Sequence, residues 1–434
     1  MKTLKEVVLL VCVTLLLLSC TKDEMSGNSK IVSAEKKIDF IEYTTEDAFL
    51  SEELSWEAYP QTVKSIPVFP VADSVYTGTG GESGWQRSYI DENGAMKTGS
   101  MCRDPLCTHR TDTCPAFMAR SSSSLLEANG KLYFFSMIDG GKAYGLNEYD
   151  PAALTVRVVS RMEENGIFIG RVGRFLFYYT KPVVGQKDNG QVITETHLYR
   201  YDILKDKVEF LGKSPDTPEF VFSEGWGGYI YYFGAGKRVL YRRDVNMKNE
   251  EKVIAPDAPM LTYDVKGDEV YYIVREEDGQ GGWGYGTLYR YDLTSRKTET
   301  LYHDVTWFTI VGDTMYYTLY DPIADFDWDV VTYDDEGKKI TGSQTLYSMN
   351  GNTVYRIALN QAGNRGEVVP GIEKMQENGM YIGEWYRVYQ GFLLIQVKQA
   401  YQENGKNGLY TGYAAVDMET GEVIYFSTDI VMNR

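Results

Sequence analysis

Two kinds of short apolar run alternate along the chain from about residue 70, and glycine-led turns separate many of them. The first kind is an apolar residue followed by aromatic residues, as in Leu132-Tyr133-Phe134, Leu176-Phe177-Tyr178, Ile230-Tyr231-Tyr232, Val270-Tyr271-Tyr272 and Met315-Tyr316-Tyr317. The second kind is Leu198-Tyr199-Arg200-Tyr201-Asp202, which returns at Leu288–Asp292 and more weakly at Leu146–Asp150, Leu240–Asp244 and Val354–Arg356. Short runs rich in tyrosine and β-branched residues, bounded by turns, predict β-strands.

Degenerate copies extend this repeat towards both ends of the region. They are Val75-Tyr76 with Ser88-Tyr89-Ile90-Asp91, and Leu393-Leu394-Ile395 with Ala415-Val416-Asp417. The anchors of the first run, at 76, 133, 177, 231, 271, 316 and 394, lie 57, 44, 54, 40, 45 and 78 residues apart. Units of about 40–60 residues with some four short strands are typical of a β-propeller. We therefore predict an all-β, seven-bladed β-propeller over residues 61–434; tandem β-sandwiches, which need longer units, are the alternative.

The repeated residues have predictable structural roles in such a fold. A blade cannot bury both faces of its small sheet alone, so neighbouring blades must stack against it. The aromatic pairs are expected to pack between blades, because each aromatic side chain removes a large apolar area from water. The aspartate that ends the second run is expected to form a turn.

The N-terminus carries a targeting pattern. Lys2 and Lys5 precede an apolar run of 12 residues, which is too short to cross a bilayer and fits a signal peptide. The run ends in Leu-Leu-Ser-Cys20, which resembles the lipobox of bacterial lipoproteins. That resemblance implies lipidation of Cys20, whereas an ordinary secretory signal with an incidental cysteine is the alternative. We predict a signal peptide at 1–19, a lipid-anchored tether with a short helix at 20–60, and an extracytoplasmic location on the cell membrane or outer membrane.

Charge narrows the range of partners. The chain has 44 Lys and Arg against 61 Asp and Glu, for a formal charge of −17. This acidity argues against binding to nucleic acid, which needs a basic surface, and against attraction to anionic lipid. The membrane contact is thus expected to run through the lipid anchor alone. Motifs for a nucleophile elbow, a zinc protease helix or a P-loop are absent from the sequence.

A compact group of cysteines and one histidine is the sharpest local motif. Cys102, Cys107, His109 and Cys114 follow the pattern C-x4-C-x-H-x4-C. Three thiolates and an imidazole match a tetrahedral zinc site, and a closed set of four protein ligands makes such a zinc structural. A disulfide with one spare thiol, or a reactive thiol, are the alternatives. The motif falls in the predicted connection between the first two blades, on the face where the hairpins between second and third strands emerge.

Those hairpins contain the long insertions of the sequence. Binding residues often lie on such loops over a rigid scaffold, and the candidates for stacking against a sugar or a peptide side chain are Trp85, Trp283, Tyr285 and Trp328. The alternative is that each tryptophan packs back on its own blade. Asp325, Asp327, Asp329 and Glu336 match ligand positions of a calcium loop, although Val330 replaces the turn glycine and an acidic strand edge explains them equally.

The strands resemble a known family. Tyr178-Tyr179-Thr180, Tyr316-Tyr317-Thr318 and the LYRYD strands are similar to a propeller family of bacterial surface lipoproteins, a domain of unknown function. That family is itself likened to the YWTD propeller of the low-density lipoprotein receptor, although the strict YWTD tetrapeptide is absent here. The resemblance covers roughly residues 70–425 and implies a propeller fold without an established activity.

Three functions are compatible with these patterns. The favoured one is a non-catalytic, lipid-anchored binding propeller that presents its loops to a glycan, peptide or protein partner. A second is an extracellular hydrolase or lyase that acts on a polysaccharide with carboxylates in the propeller channel. A third is a structural subunit of an envelope complex, which would expose a large apolar patch.

Overall fold

The chain folds almost entirely into β-structure. The computed structural model describes residues 68–429 except 72–73, 79–84, 91–95, 103, 105, 112–113, 120–121, 123–124, 215–223, 227, 235–237, 277–284, 334–338, 351–352, 378–379, 390–391 and 404–405. Its helices are α1 (Pro115–Ala119), α2 (Glu373–Glu377) and a short 3-10 helix (Leu359–Gln361). Within these residues, no helix is long and apolar enough to span a membrane. The predicted signal peptide, Cys20 and the short helix lie outside the described residues.

The first eighteen strands form four units. Unit 1 consists of β1 (Val68–Val71), β2 (Ser74–Gly78), β3 (Trp85–Ile90) and β4 (Met96–Ser100), and unit 2 of β5 (Leu125–Ala128), β6 (Lys131–Ile138), β7 (Ala143–Asp150) and β8 (Thr155–Met162). Unit 3 consists of β9 (Gly166–Val172), β10 (Phe175–Thr180), β13 (Thr196–Asp202) and β14 (Lys207–Ser214), with the hairpin β11 (Val183–Gln186) and β12 (Val192–Thr194) inserted. Unit 4 consists of β15 (Glu224–Trp226), β16 (Tyr229–Phe233), β17 (Leu240–Asp244) and β18 (Glu251–Ile254).

The remaining strands form a seven-stranded sheet, a second inserted hairpin and a last four-stranded sheet. Unit 5 consists of β19 (Met260–Lys266), β20 (Glu269–Arg275), β21 (Gly286–Asp292) and the start of β22 (Thr298–Val311). Unit 6 consists of the end of β22 with β23 (Thr314–Leu319), β26 (Val354–Ala358) and β27 (Glu367–Val368), with the hairpin β24 (Pro322–Tyr333) and β25 (Lys339–Asn350) inserted. Unit 7 consists of β28 (Met380–Tyr389), β29 (Phe392–Glu403), β30 (Lys406–Asp417) and β31 (Val423–Asp429).

The units follow one another around a ring. Units 1 to 4 and unit 7 are separate antiparallel sheets, units 5 and 6 are two parts of one, and neighbouring strands follow one another in sequence apart from the inserted hairpins. The first strands contact each other in the order β1, β5, β9, β15, β19, β22 and β28, and β31 of the last unit contacts β3 and β4 of the first. The predicted all-β propeller class is therefore confirmed; the described strands form five four-stranded sheets, one seven-stranded sheet that we divide into units 5 and 6, and the two inserted hairpins.

Both sequence runs lie where a blade needs them. The first run forms the second strand of each unit, and the second run forms the third strand. Their aromatic residues are buried, with Tyr133, Tyr231 and Tyr271 no more than 1% exposed. Hydrogen bonds between units accompany this packing: Tyr263 Oη donates to the Tyr231 carbonyl at 2.7 Å. The predicted packing role of the aromatic pairs is confirmed.

Tyrosines also stack across the second and third strands of units 3 to 6. In these cross-strand pairs the ring centroids lie 5.1 to 5.8 Å apart, as in Tyr178–Tyr199, Tyr232–Tyr241, Tyr272–Tyr289 and Tyr317–Tyr355. Each pair consists of residues directly opposite in the sheet. Such facing pairs stabilise a sheet by roughly 0.2–1 kcal/mol each.

The arginine of the second run pairs with a glutamate on the fourth strand. In three units the two residues are nine positions apart in sequence and directly opposite each other in the sheet. The shortest distance from a guanidinium nitrogen to a carboxylate oxygen is 2.5 to 2.7 Å in Arg200–Glu209, Arg242–Glu251 and Arg290–Glu299. Unit 2 holds the same pair with the residues exchanged, as Glu148 and Arg157 at 2.9 Å. The aspartate that ends the second run accepts two backbone N–H bonds through Oδ1. This holds for Asp150, Asp202, Asp292 and Asp417, so the predicted turn role is confirmed.

Units 5 and 6 share one strand. β22 is 14 residues long, and its first part pairs with β21 while its second part pairs with β23. Val305 is fully buried and lies opposite Gly286 of unit 5 on one side and Leu319 of unit 6 on the other. The sequence repeat predicts a connection between these units, but the chain passes from one to the other without leaving the strand.

A cysteine and histidine cluster on the loop-bearing face

One face of the propeller carries most of the irregular chain. In an antiparallel four-stranded unit, the connection between the second and third strands and the connection to the next unit emerge at the same end of the strands. The inserted hairpins β11–β12 and β24–β25 belong to the first type of connection, and residues 101–124 belong to the second. We call this end the loop face; the cysteine and histidine motif lies on it, as the sequence predicts.

The motif folds into a tight cluster. The ligand atoms of Cys102, Cys107, His109 and Cys114 all lie within 4.8 Å of one another. Sulfur atoms bound to one zinc ion at about 2.3 Å would lie some 3.8 Å apart in a tetrahedron. A small contraction of the cluster is thus enough to complete a four-ligand site, and the cluster could hold a metal ion. The three cysteines are free thiols in the structure.

Local turns bring the four side chains together. The Asp104 carboxylate accepts the backbone N–H of Leu106 at 2.8 Å, and the Asp104 carbonyl accepts that of Cys107 at 3.2 Å. His109 adopts a left-handed backbone conformation, with φ at 54°, and its N–H donates to the Cys107 sulfur at 3.4 Å. This bend turns the imidazole towards Cys114, whose sulfur lies 3.4 Å from Nδ1.

The thiols differ in acidity because their surroundings differ. Burial raises the pKa of the Cys102 thiol to about 12, and the nearby sulfur of Cys114 adds to the rise. Burial also raises the pKa of Cys114. The pKa of Cys107 is lowered instead, chiefly because the His109 backbone N–H bonds to its sulfur. Three adjacent thiolates without a cation repel one another, whereas a bound divalent cation stabilises all of them.

The cluster ties two units together. Cys102 lies two residues after β4, and Cys114 directly precedes α1, which packs against β3 and β6. Trp85 lies beneath this connection: it is 6% exposed, its Nε1–H donates to the Ser122 carbonyl at 3.4 Å, and its carbonyl accepts the N–H of Met101. A metal in the cluster would therefore fix the chain between unit 1 and unit 2.

The structure separates the four aromatic candidates for ligand binding. Trp85 packs in the core between units 1 and 2 and presents little surface to a ligand, which corresponds to the alternative of packing on its own blade. Trp283 lies outside the described residues. Trp328 occupies β24, opposite Gln344 of β25. The calcium candidates Asp325, Asp327 and Asp329 follow one another along the same strand, while Glu336 lies outside the described residues.

Tyr285 lies at a junction on the loop face. It is half-buried, and its ring stacks on Tyr320 of the next unit with centroids 4.2 Å apart and an interplanar angle of 19°. Unlike the cross-strand tyrosine pairs, this stack joins two different units where their chains leave the sheets. The Tyr285 carbonyl accepts the backbone N–H of Glu276 at 3.2 Å, which places that glutamate beside the stack.

A hydrogen-bonded chain that the sequence did not reveal lies at this junction. The Thr287 hydroxyl, on a residue only 5% exposed, donates to Glu276 Oε1 at 2.6 Å and lies 3.0 Å from His303 Nδ1. The three residues come from the ends of β20, β21 and the unit 5 part of β22. Thr287 lies 11 residues after Glu276 and 16 residues before His303. Predicting their contact would have required the strand register of unit 5, in which β20 lies opposite β21 and β21 opposite β22.

The hairpin β11–β12 is the second prominent feature of the loop face. Among the described residues its two strands pair with each other and with no other strand. Val183, Val184, Val192 and Ile193 on it are between 40% and 61% exposed. Exposed aliphatic residues grouped on one hairpin are a sign of an interaction surface.

Comparisons with known proteins bear on the fold alone. No protein-family profile matches the chain, and no curated protein matches it. Similar solved structures include the β-propeller domain of the trilobed protease from Pyrococcus furiosus, with 11% identity, a TM-score of 0.42, and coverage of 88% of this chain and 100% of that one.

Two longer enzymes are also similar. Acylaminoacyl peptidase from Pyrococcus horikoshii has 12% identity and a TM-score of 0.46 over 87% of this chain and 54% of that one. A prolyl endopeptidase has 11% identity and a TM-score of 0.44 over 88% of this chain and 51% of that one. The chain spans about half the length of these two enzymes, and its structural neighbours are β-propeller proteins.

Proposed function

We propose that this protein is a non-catalytic binding propeller, lipid-anchored outside the cytoplasm, that holds a protein partner on its loop face. The observation that carries the proposal is the aliphatic surface of the hairpin β11–β12, which projects from the sheet of unit 3. Four exposed aliphatic residues on one short hairpin gain free energy when a partner removes them from water, at roughly 25 cal/mol per Å².

The chemistry of this surface favours a protein over a glycan or a lipid. Sugar sites rely on exposed aromatic faces, whereas the hairpin exposes valine and isoleucine. An anionic bilayer repels a chain with a formal charge of −17. The outer edges of the hairpin pair with no other described strand and can accept an added strand from a partner, with backbone hydrogen bonds that supplement the apolar contact.

Site-specific photo-crosslinking in native cells tests this proposal. A photoreactive residue at Val184, which is 49% exposed, is expected to give one discrete crosslinked protein. The matched control is Leu204, which is 40% exposed in the same unit but lies in the β13–β14 turn on the opposite face. Val192→Lys should abolish the Val184 product. Equal products from both positions, or none from Val184, would contradict the proposal.

We further propose that the cysteine and histidine cluster holds a structural zinc ion. The support is the donor set of three thiols and one imidazole within 4.8 Å, together with the N–H bond to the Cys107 sulfur, a contact that orients and stabilises a thiolate ligand. Such an ion leaves no open position for a substrate, and its effect would be to order the connection between units 1 and 2.

Metal content and thiol accessibility test the zinc proposal together. The full chain, purified without chelator, should contain about one zinc per molecule, and its three described thiols should react with a thiol reagent only after chelation. His109→Ala should lower the metal content, while His197→Ala, a histidine in unit 3 far along the chain, should not. One disulfide and one reactive thiol without metal would refute the zinc site.

Anchoring remains a proposal on sequence grounds. The lipobox-like segment before Cys20 and the similarity of the strands to surface-lipoprotein propellers both support a lipid-anchored location. An acyl chain contributes about 0.8 kcal/mol per buried CH₂, and stable anchoring needs more than one chain. A diacylglyceryl group on Cys20 would meet that requirement.

A further inference from the structure

The junction of units 5 and 6 holds polar atoms that have no partner within the part of the chain that the structure describes. Glu276 is half-buried and uses Oε1 to accept the Thr287 hydroxyl, while Oε2 has no partner among the described residues. His303 is exposed and uses Nδ1 towards the same hydroxyl, while Nε2 likewise has no described partner. The backbone hydrogen bond from Glu276 to the Tyr285 carbonyl brings the stacked pair Tyr285–Tyr320 next to this glutamate.

The hydrogen-bond chain fixes which nitrogen of His303 carries the proton. A hydroxyl has one hydrogen, and the 2.6 Å bond to an ionised carboxylate uses it. The Thr287 oxygen can then only accept from His303, so Nδ1 carries the hydrogen and donates at 3.0 Å. Neutral imidazole protonated at Nδ1 has its lone pair on Nε2. Glu276 Oε2 and, in the neutral imidazole, His303 Nε2 are therefore hydrogen-bond acceptors without a partner among the described residues.

Acceptors beside aromatic rings select for positive charge. A neutral sugar offers donors and acceptors alike, whereas the ionised carboxylate of Glu276 and Nε2 of neutral His303 both require a donor. Tyrosine faces attract ammonium and guanidinium groups through the ring quadrupole. Asp304 and Asp321 are exposed next in sequence to His303 and Tyr320 and add negative potential. Arg275 ends β20, and the bond from the Glu276 N–H to the Tyr285 carbonyl continues the pairing by one residue, so the two side chains point to opposite faces.

We propose that this acidic tyrosine site, made of Glu276, His303, Tyr285 and Tyr320, binds a lysine or arginine side chain of the protein partner. Glu276 would accept a charge-assisted hydrogen bond, His303 Nε2 a second one, and the tyrosine rings would cover the cation. The inference deepens the proposed binding function, since it rests on a partner docked on the loop face. The formal charge of −17 also favours the approach of a basic partner to this site.

Calorimetric titration of the detergent-solubilised full chain tests the site with three probes. The first is a short peptide that contains arginine, the second is its uncharged counterpart with citrulline in place of arginine, and the third is spermine. The arginine peptide should bind, and the citrulline peptide should bind at least about tenfold more weakly. Spermine binding more tightly than the peptide would overturn the assignment to a side chain in favour of a free polyamine.

Variants distinguish a built site from diffuse attraction to an acidic protein. Glu276→Gln and His303→Leu should each weaken the arginine peptide about tenfold while leaving the thermal midpoint unchanged. The matched control is Asp188→Asn, which removes the same charge from an exposed position of the β11–β12 turn on the same face. Equal weakening by Glu276→Gln and Asp188→Asn would refute the site. Crosslinking at Val184 that persists in Glu276→Gln would show that only this inference, and not the binding function, has failed.

Discussion

Arg200 offers the sharpest test of how the propeller is held together. Its side chain is fully buried, its Nη2 lies 2.6 Å from Glu209 Oε2, and its Nη1 donates to the Val245 carbonyl at 2.7 Å and to Asn246 Oδ1 at 3.1 Å. The last two acceptors belong to unit 4, so this one guanidinium closes an ion pair within unit 3 and clasps the next unit. Arg200→Met keeps the length of the stem and removes all of these interactions.

The expected loss follows from the burial of the partner that is left behind. The Glu209 side chain is only 1% exposed, and breaking a buried pair of this kind costs about 3–5 kcal/mol because a charge stays uncompensated. Lys207 Nζ lies 3.2 Å from Glu209 Oε1, but the two atoms do not meet hydrogen-bond geometry and the lysine side chain is 32% exposed. Its charge therefore offsets only part of the cost. We expect a loss of about 3 kcal/mol in the free energy of unfolding.

The repeat supplies a matched control. Arg290 occupies the same position of unit 5 and pairs with Glu299 in the same register, but the two side chains are 27% and 54% exposed. Arg290→Met should cost no more than about 1 kcal/mol, because water screens the exposed pair.

Urea unfolding followed by circular dichroism and tryptophan fluorescence measures the comparison. The double variant Arg200→Met/Glu209→Leu should recover much of the loss, because no buried charge then remains unpaired. If Arg200→Met and Arg290→Met destabilise the chain equally, or if the double variant is no better than Arg200→Met, the reasoning from burial is wrong.

Three further predictions concern pH, backbone space and the anchor. Burial would raise the pKa of Glu148, but hydrogen bonds from Arg157 and Lys131 outweigh it, so the pKa is lowered. The stability from Glu148 is therefore complete above the ordinary carboxyl value of about 4.3 and is lost as pH falls through the lowered value; Glu148→Gln should flatten the acid limb of stability against pH, and an unchanged limb would contradict this. Gly286→Ala would place a Cβ 2.0 Å from the Val274 carbonyl oxygen and should lower the thermal midpoint strongly, while Gly99→Ala, with nothing within 4 Å, should shift it little. Cys20→Ser should move the protein from the membrane to the soluble fraction in cell fractionation, and retention on the membrane would refute anchoring through that thiol.

Much of the architecture follows from the sequence because propeller repeats are local. The apolar–aromatic run and the LYRYD run are adjacent strands of one sheet, so their periodic return predicts the order of these strands without any long-range information. The burial of Tyr231 and the turn at Asp202 follow for the same reason. The arginine–glutamate pairs could also have been predicted, since the two residues recur nine positions apart in three units.

The candidate sites were only partly predictable. The cysteine cluster lies within 13 consecutive residues, so the sequence spacing was enough to predict that its side chains lie close together. The Glu276, Thr287 and His303 chain needs the register of unit 5, which no short motif encodes. Trp85 was misleading because a tryptophan next to a glycine-rich loop and a tryptophan at the start of a strand look alike in sequence; its neighbours Tyr76, Met101 and Met118 make it a core residue.

The strand shared by units 5 and 6 determines where the ring can be opened. At every other boundary between consecutive units a connection separates the strands, so new chain ends could be introduced there without loss of sheet hydrogen bonds. Val305 of β22 pairs with a strand of each unit, and a break at this point would remove backbone hydrogen bonds on both sides of the strand. A circular permutant opened in the connection at 101–124 would separate units at a natural seam, whereas one opened within β22 would split a single cooperative element. Units 5 and 6 are thus joined by an uninterrupted strand instead of a loop. Hydrogen exchange along β22 would therefore report the opening of both units as a single event.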